Sequence, residues 1–218
     1  MKYALCIAAV SMMGCGNDLG GTWTSATQIL AFNGDGYVTM VDNLYPPEAL
    51  ASVDATNTFG YKFRGKFSAA DELLSLDGLD GLFARDVVPR IVETDSYRLE
   101  GDVLATHLYR SNDLTTMQIP GTWIAQSSIS MYPSTGPSSH DETKSVLVFD
   151  DAGTVTRTDT TTGGPPSSTA GAGRWHNDAG TVTVTDNAAP TTPGTSLTAT
   201  YTLIGPGVLA TNLYRRMK

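Results

Sequence analysis

The chain has 218 residues and carries 14 Lys and Arg against 22 Asp and Glu, a formal net charge of −8. An acidic surface repels phosphate backbones, which excludes nucleic acid as a natural partner, and a hydrophobic share of 40% supplies a core and excludes a disordered chain. The only cysteines, Cys6 and Cys15, sit near the N-terminus and exclude a disulfide scaffold.

Lys2 is followed by an apolar run from Tyr3 to Val10 that continues as Ser11-Met12-Met13-Gly14-Cys15. The run falls short of the ~20 residues that span a bilayer as a helix. A basic start, a brief apolar core and small residues before a break describe a secretory signal. Its ending resembles the lipobox of bacterial lipoproteins, in which a small residue precedes a Cys that is acylated and becomes N-terminal. Gly14-Cys15 fits, while Met12 and Met13 depart from the usual residues. The resemblance implies a removable signal over residues 1–14, lipidation of Cys15 by acyl chains such as palmitate, and the membrane as a partner through that anchor. Gly16, where an Asp retains enterobacterial lipoproteins in the inner membrane, favours the outer membrane of the cell envelope. Secretion or a periplasmic location after ordinary cleavage is the alternative, and a retained N-terminal helix is the third reading.

Beyond the signal the chain repeats itself. Gly21-Thr22-Trp23 recurs as Gly121-Thr122-Trp123, and Val103-Leu104-Ala105-Thr106-His107-Leu108-Tyr109-Arg110 recurs as Val208-Leu209-Ala210-Thr211-Asn212-Leu213-Tyr214-Arg215, with seven of eight positions identical. Phe32 to Gly36 corresponds to Phe149 to Gly153. Two copies are too few for a solenoid, and copies of this size suit small domains. The predicted division is 1–14 signal, 15–111 first repeat and 112–218 second repeat, with Ser111 to Ile119 as the linker. The first copy carries an excursion from Asn43 to Thr58, and the second an insertion from Tyr132 to Lys144.

Each copy reads as strands. Val103 to Arg110 and Gly180 to Asp186 alternate, and Asn33-Gly34, Asp77-Gly78, Asp80-Gly81 and Asp178-Ala179-Gly180 supply turns. The one helix-like stretch, Ser68 to Leu74, has no counterpart in the second copy. Thr158 to Ala170 reads as a long hairpin tip. Seven or eight short strands per copy predict an all-β fold of two tandem antiparallel up-and-down barrels.

A Gly-x-Trp on the first strand, a meander of hairpins and a last strand ending in Arg resemble the lipocalin and calycin barrels. Each copy is similar to the short lipocalin-like domains of bacterial lipoproteins. Lipocalins close the barrel floor with an Arg stacked on the Trp, which implies Trp23 with Arg110 and Trp123 with Arg215 as structural closures. Alternation in the last strand places Leu104 and Leu108 inward and His107 and Tyr109 outward. Avidin-type barrels also open with Gly-Thr-Trp, but only Trp175 remains to build a biotin pocket.

Chemistry is sparse. His107, His140 and His176 are far apart in sequence and form no zinc spacing. Ser138-Ser139-His140-Asp141 sets triad residue types side by side, whereas triads converge from separated positions. Asp150-Asp151 and Asp77 with Asp80 lack the rest of a calcium loop. No catalytic, cofactor-binding or metal residue is assigned, and no cofactor is expected. The resemblance implies a non-enzymatic cell-envelope lipoprotein that binds a small apolar ligand in a barrel. The competing reading is a structural or interaction module with filled barrels that contacts another envelope protein.

Overall fold

The structure, a computed structural model, describes residues 19–26, 28–42, 62–81, 90–133, 135–164, 167–186 and 199–217. The signal, Cys15, the excursion 43–58 and Phe59 lie outside the described residues. The first copy forms β1 (Gly21–Thr24), β2 (Gln28–Phe32), β3 (Tyr37–Asp42), β4 (Lys62–Ala70), β5 (Leu73–Gly81), β6 (Arg90–Glu100) and β7 (Val103–Ser111). The second forms β8 (Gly121–Tyr132), β9 (Ser139–Phe149), β10 (Thr154–Thr162), β11 (Ser167–Asp178), β12 (Thr181–Asp186), β13 (Ala199–Gly205) and β14 (Val208–Arg216).

The protein is all-β, and local chemistry repeats with the sequence. The Asn33 side-chain oxygen accepts from the N–H groups of Asp35 at 3.1 Å and Tyr37 at 2.8 Å. Asp150 does the same for Thr154 at 2.6 Å, so one turn is built twice. Gly21 and Gly121 open their strands at φ of 116° and 139°, a region nearly closed to side chains, which explains the glycine before each Thr-Trp. The helix-like stretch is the β4–β5 hairpin, turned at Asp71 and Glu72 with positive φ. The expected long tip is mostly ladder, since Thr158 to Thr161 pair in register with Ala170 to Ser167. Half of the Tyr132–Lys144 insertion is likewise strand β9.

The fourteen strands form one antiparallel ring in the order β1-β14-β13-β12-β11-β10-β9-β8-β7-β6-β5-β4-β3-β2. Two separate tandem barrels are expected from the repeat; the pairing shows a single ring that runs through both copies. A further pairing of β7 with β14 bridges the ring, and β6 also pairs with β8. Along the bridge, Val103 through Arg110 oppose Arg215 through Val208. β7 starts beside β6, with Val103 opposite Glu100, and ends beside β8, with Ser111 opposite Trp123. β14 starts beside β13 and ends beside β1, with Arg216 opposite Trp23. Each last strand therefore serves its own copy with its first half and the other copy with its second. His107, at φ 55°, marks the point where β7 leaves β6 for β8.

Two cores follow from this exchange. One gathers Leu19, Trp23, Leu30, Phe32, Val38, Leu74, Tyr97 and Leu104 with Tyr214 of the other copy. The second gathers Ile119, Trp123, Leu147, Phe149, Val155, Val182, Val184, Tyr201 and Leu209 with Tyr109 of the first copy. A third, smaller cluster of Ala105, Leu108, Val208 and Ala210 sits on the bridging strands. The outward assignment of Tyr109 is thereby corrected: its side chain is 1% exposed. A strand that bridges two interiors buries residues on both faces, so alternation cannot name a single inner face.

Candidate functional site

The two tryptophans are set alike. Trp23 Nε1 donates to the Leu19 carbonyl and Trp123 Nε1 to the Ile119 carbonyl, both at 2.8 Å, and both rings are fully buried. The cation on Trp23 is Arg216, whose guanidinium carbon lies 4.4 Å from the ring centroid. The expected partner, Arg110, instead bonds Glu72 at the surface. Its strand end has passed to β8, where it stands opposite Ile124. Arg215 stands opposite Thr24, not beside Trp123, and lines a shallow 290 Å³ hollow with Val103 and Leu213. At Trp123 the position equivalent to Arg216 is Ser111, so a serine stands there in place of the arginine.

The two cores differ in what lines them. In the first copy Leu30 stands opposite Met40. At the same register of the second copy Leu147 stands opposite Arg157, and Ser145 opposite Asp159. Arg157 Nε contacts the Asp159 carboxylate at 3.0 and 2.9 Å, and the two side chains retain 29% and 25% exposure. Burial works against the Arg157 charge, but Asp159 and the oxygens of Tyr109 and Tyr201 outweigh it and raise its pKa. Burial, ahead of every other cause, pushes the Tyr109 and Tyr201 phenols up. The Tyr109 and Tyr201 rings meet edge-on at 5.5 Å. Phe149 backs Tyr201 at 6.5 Å and Trp175 at 5.6 Å. The first copy places an apolar pair, Phe32 on Phe67 at 4.8 Å, where the second has Phe149 on Trp175.

Beside this interior, His107 Nδ1 lies 3.1 Å from Asp95, and its ring is edge-on to Tyr109 at 5.4 Å. Burial, then the neighbouring Asp95 carboxylate, raises the pKa of Glu93. An open groove of about 650 Å³ lies where β5, β6, β8, β9 and β10 adjoin, with Leu73, Thr94, Gln126, Glu142, Lys144 and Thr160 among its lining.

The remaining candidates do not converge. His140 contacts Ser130 at 2.7 Å and Glu142 at 3.5 Å on an exposed strand face. Asp77 forms a bidentate pair with Arg90 at 2.7 and 2.5 Å. No group of three or more His, Cys, Asp or Glu among the described residues is placed to hold a metal, and no helix among them is long and apolar enough to cross a membrane. Comparison with family models, curated proteins and solved structures gives no match.

Proposed function

We propose that the protein is a non-enzymatic, lipid-anchored cell-envelope binding protein, two lipocalin-like barrels fused by sharing β7 and β14. The second copy holds a small, largely apolar ligand and the first serves as its packed support. The observation that carries this reading is the contrast at one register: Met40 opposite Leu30 in the first copy, and Arg157 opposite Leu147, which packs in one core with Tyr109 and Tyr201, in the second. A polar group set into an otherwise apolar interior orients a ligand, which is how small-molecule sites gain specificity. The Trp23–Arg216 stack supports the lipocalin likeness, and the Gly14-Cys15 junction supports the anchor on Cys15 and the outer-membrane location.

Titration with a neutral fluorescent apolar probe tests the site. One saturable class of binding is expected, abolished by Thr143→Trp at the second interior and retained in Ala26→Trp, its counterpart in the first copy. Absence of saturable uptake would remove the reading.

A second reading, an interaction module for another envelope protein, draws on the open groove and on Leu73 at its edge, which is 48% exposed. A photo-crosslinker at Thr160 that labels one discrete envelope protein in cells would favour it.

A further inference from the structure

The second copy carries strand that its core does not use. In the first copy β1 and β2 turn after Thr24, where the Ser25 hydroxyl accepts from the Gln28 N–H at 3.0 Å and donates to the Gln28 carbonyl at 3.2 Å. The equivalent strands β8 and β9 run on past that level, through Gln126 to Tyr132 and Ser139 to Lys144. There β8 leaves β7 and pairs with β6 of the first copy, with Ser128 opposite Thr94. Among the described residues, none in this extension joins a core cluster.

Its outer face builds the open groove of about 650 Å³. Alternation along β9 sets Glu142 and Lys144, both exposed, on the side away from buried Ser145 and Leu147. Two rows of side chains cross the strands on that face. Thr94, Ser128, Glu142 and Thr162 are successive partners over β6, β8, β9 and β10. Gln126, Lys144 and Thr160 are successive partners over β8, β9 and β10. Thr94 is bonded to Ser75 at 2.9 Å, and Glu142 lies 3.5 Å from His140. The side chains of Gln126, Ser128, Lys144, Thr160 and Thr162 have no hydrogen bond or ion pair among the described residues.

Hydroxyls and carboxamides both donate and accept, so these rows suit a ligand whose own groups do both. Glu142 and Lys144 stand two residues apart on one face, so a ligand of either net charge meets a like charge. Leu73, 48% exposed, is the apolar member of the lining. It offers a surface for the C–H face of a ring and falls short of the apolar centre of a protein interface.

We propose that this groove binds a neutral oligosaccharide, its hydroxyls bonded to the two rows and a ring face set against Leu73. The groove lies on the opposite face of the sheet from the second core, and this assignment goes beyond the apolar-ligand reading without depending on it.

The test titrates the full chain with maltotriose, cellotriose and chitotriose, and with the acidic trimer of galacturonate, while backbone amide NMR signals are followed. At least one neutral trimer should saturate and shift the signals of Gln126, Lys144 and Thr160, and the acidic trimer should bind more weakly. Thr160→Val combined with Thr162→Val keeps shape and strand preference, and should weaken the neutral trimer about tenfold, as the loss of two ordinary hydrogen bonds warrants. Thr158→Val, on the same strand face outside the groove, should change nothing. Glu142→Gln should narrow the gap between acidic and neutral trimers. No saturable shift with any neutral trimer, or binding unchanged in the double variant, would overturn the site. Equal or tighter binding of the acidic trimer would overturn its neutral specificity. A photo-crosslinker at Thr160 that labels a protein would give the groove to that partner instead. Uptake of the neutral apolar probe should be unchanged in the double variant, which separates failure of this site from failure of the binding half.

Discussion

The Arg216 guanidinium lies 4.4 Å from the ring centroid of Trp23, and the two residues belong to opposite copies of the repeat. Arg216 also donates to the Gly20 carbonyl at 3.0 Å, which fixes it over the ring. Replacing it with Ala should cost about 1–2 kcal/mol, the range of a partly desolvated cation–π contact with its hydrogen bond. Arg110→Ala should cost under about 0.5 kcal/mol, since it loses only an exposed ion pair. Urea unfolding followed by tryptophan fluorescence separates the two, and a larger loss at Arg110 would mean that each copy closes on its own arginine.

The exchanged tyrosines bear on whether the halves stand alone. Tyr214 packs in the core around Trp23, and Tyr109 in the core around Trp123. Residues 15–111 and 112–218 expressed separately should lack cooperative unfolding by circular dichroism, and should regain it on co-expression. Leu104→Ala and Leu209→Ala, each opposite one exchanged tyrosine, should each cost about 2–5 kcal/mol in the intact chain.

Glu93 gives a pH signature. Its folded pKa is raised, first by burial and then by Asp95, so its charged form is less favourable in the folded chain than in the unfolded one. The carboxylate therefore destabilises the fold above its unfolded pKa, about 4.3, and that penalty fades as pH falls through the folded value. Glu93→Gln should raise the midpoint of urea unfolding near neutral pH and leave it unchanged well below about pH 4. A gain that persists in acid would assign the effect to packing rather than charge.

The buried phenols can be read directly. Tyr201 and Tyr109 both have pKa values raised by burial, so in an alkaline absorbance titration they should ionise only as the fold opens. Tyr201→Phe should remove one tyrosine from that late step and none from the early one. Loss from the early step would place Tyr201 in solvent.

Much of the fold is legible in the residues. Gly21-Thr22-Trp23 and Gly121-Thr122-Trp123, the paired turns at Asn33 and Asp150, and the alternation of Val182 with Thr183 are short-range signals, and they correspond to strands and turns in the structure. The partner of each last strand is not legible. Val103–Arg110 and Val208–Arg215 are so nearly identical that either strand suits either neighbour, and the pairing depends on contacts distant in sequence. Tyr109 is misplaced for the same reason, because its face becomes an interior only when β14 lies alongside and β8 receives the strand end. The Arg157 cluster is hidden in a threonine-rich run that reads as solvated. Aligning Val38-Thr39-Met40-Val41-Asp42 with Val155-Thr156-Arg157-Thr158-Asp159 is the signal that exposes it: four intervals of shared register with one charge introduced on an inward position.

Native mass spectrometry of the chain purified from an exporting host without detergent tests the binding half most directly. A discrete added mass that is lost on denaturation, and absent from Thr143→Trp but present in Ala26→Trp, is the expected result. A bare polypeptide mass in all three, with no uptake of apolar probes, would contradict the binding role and leave filled barrels serving a protein partner.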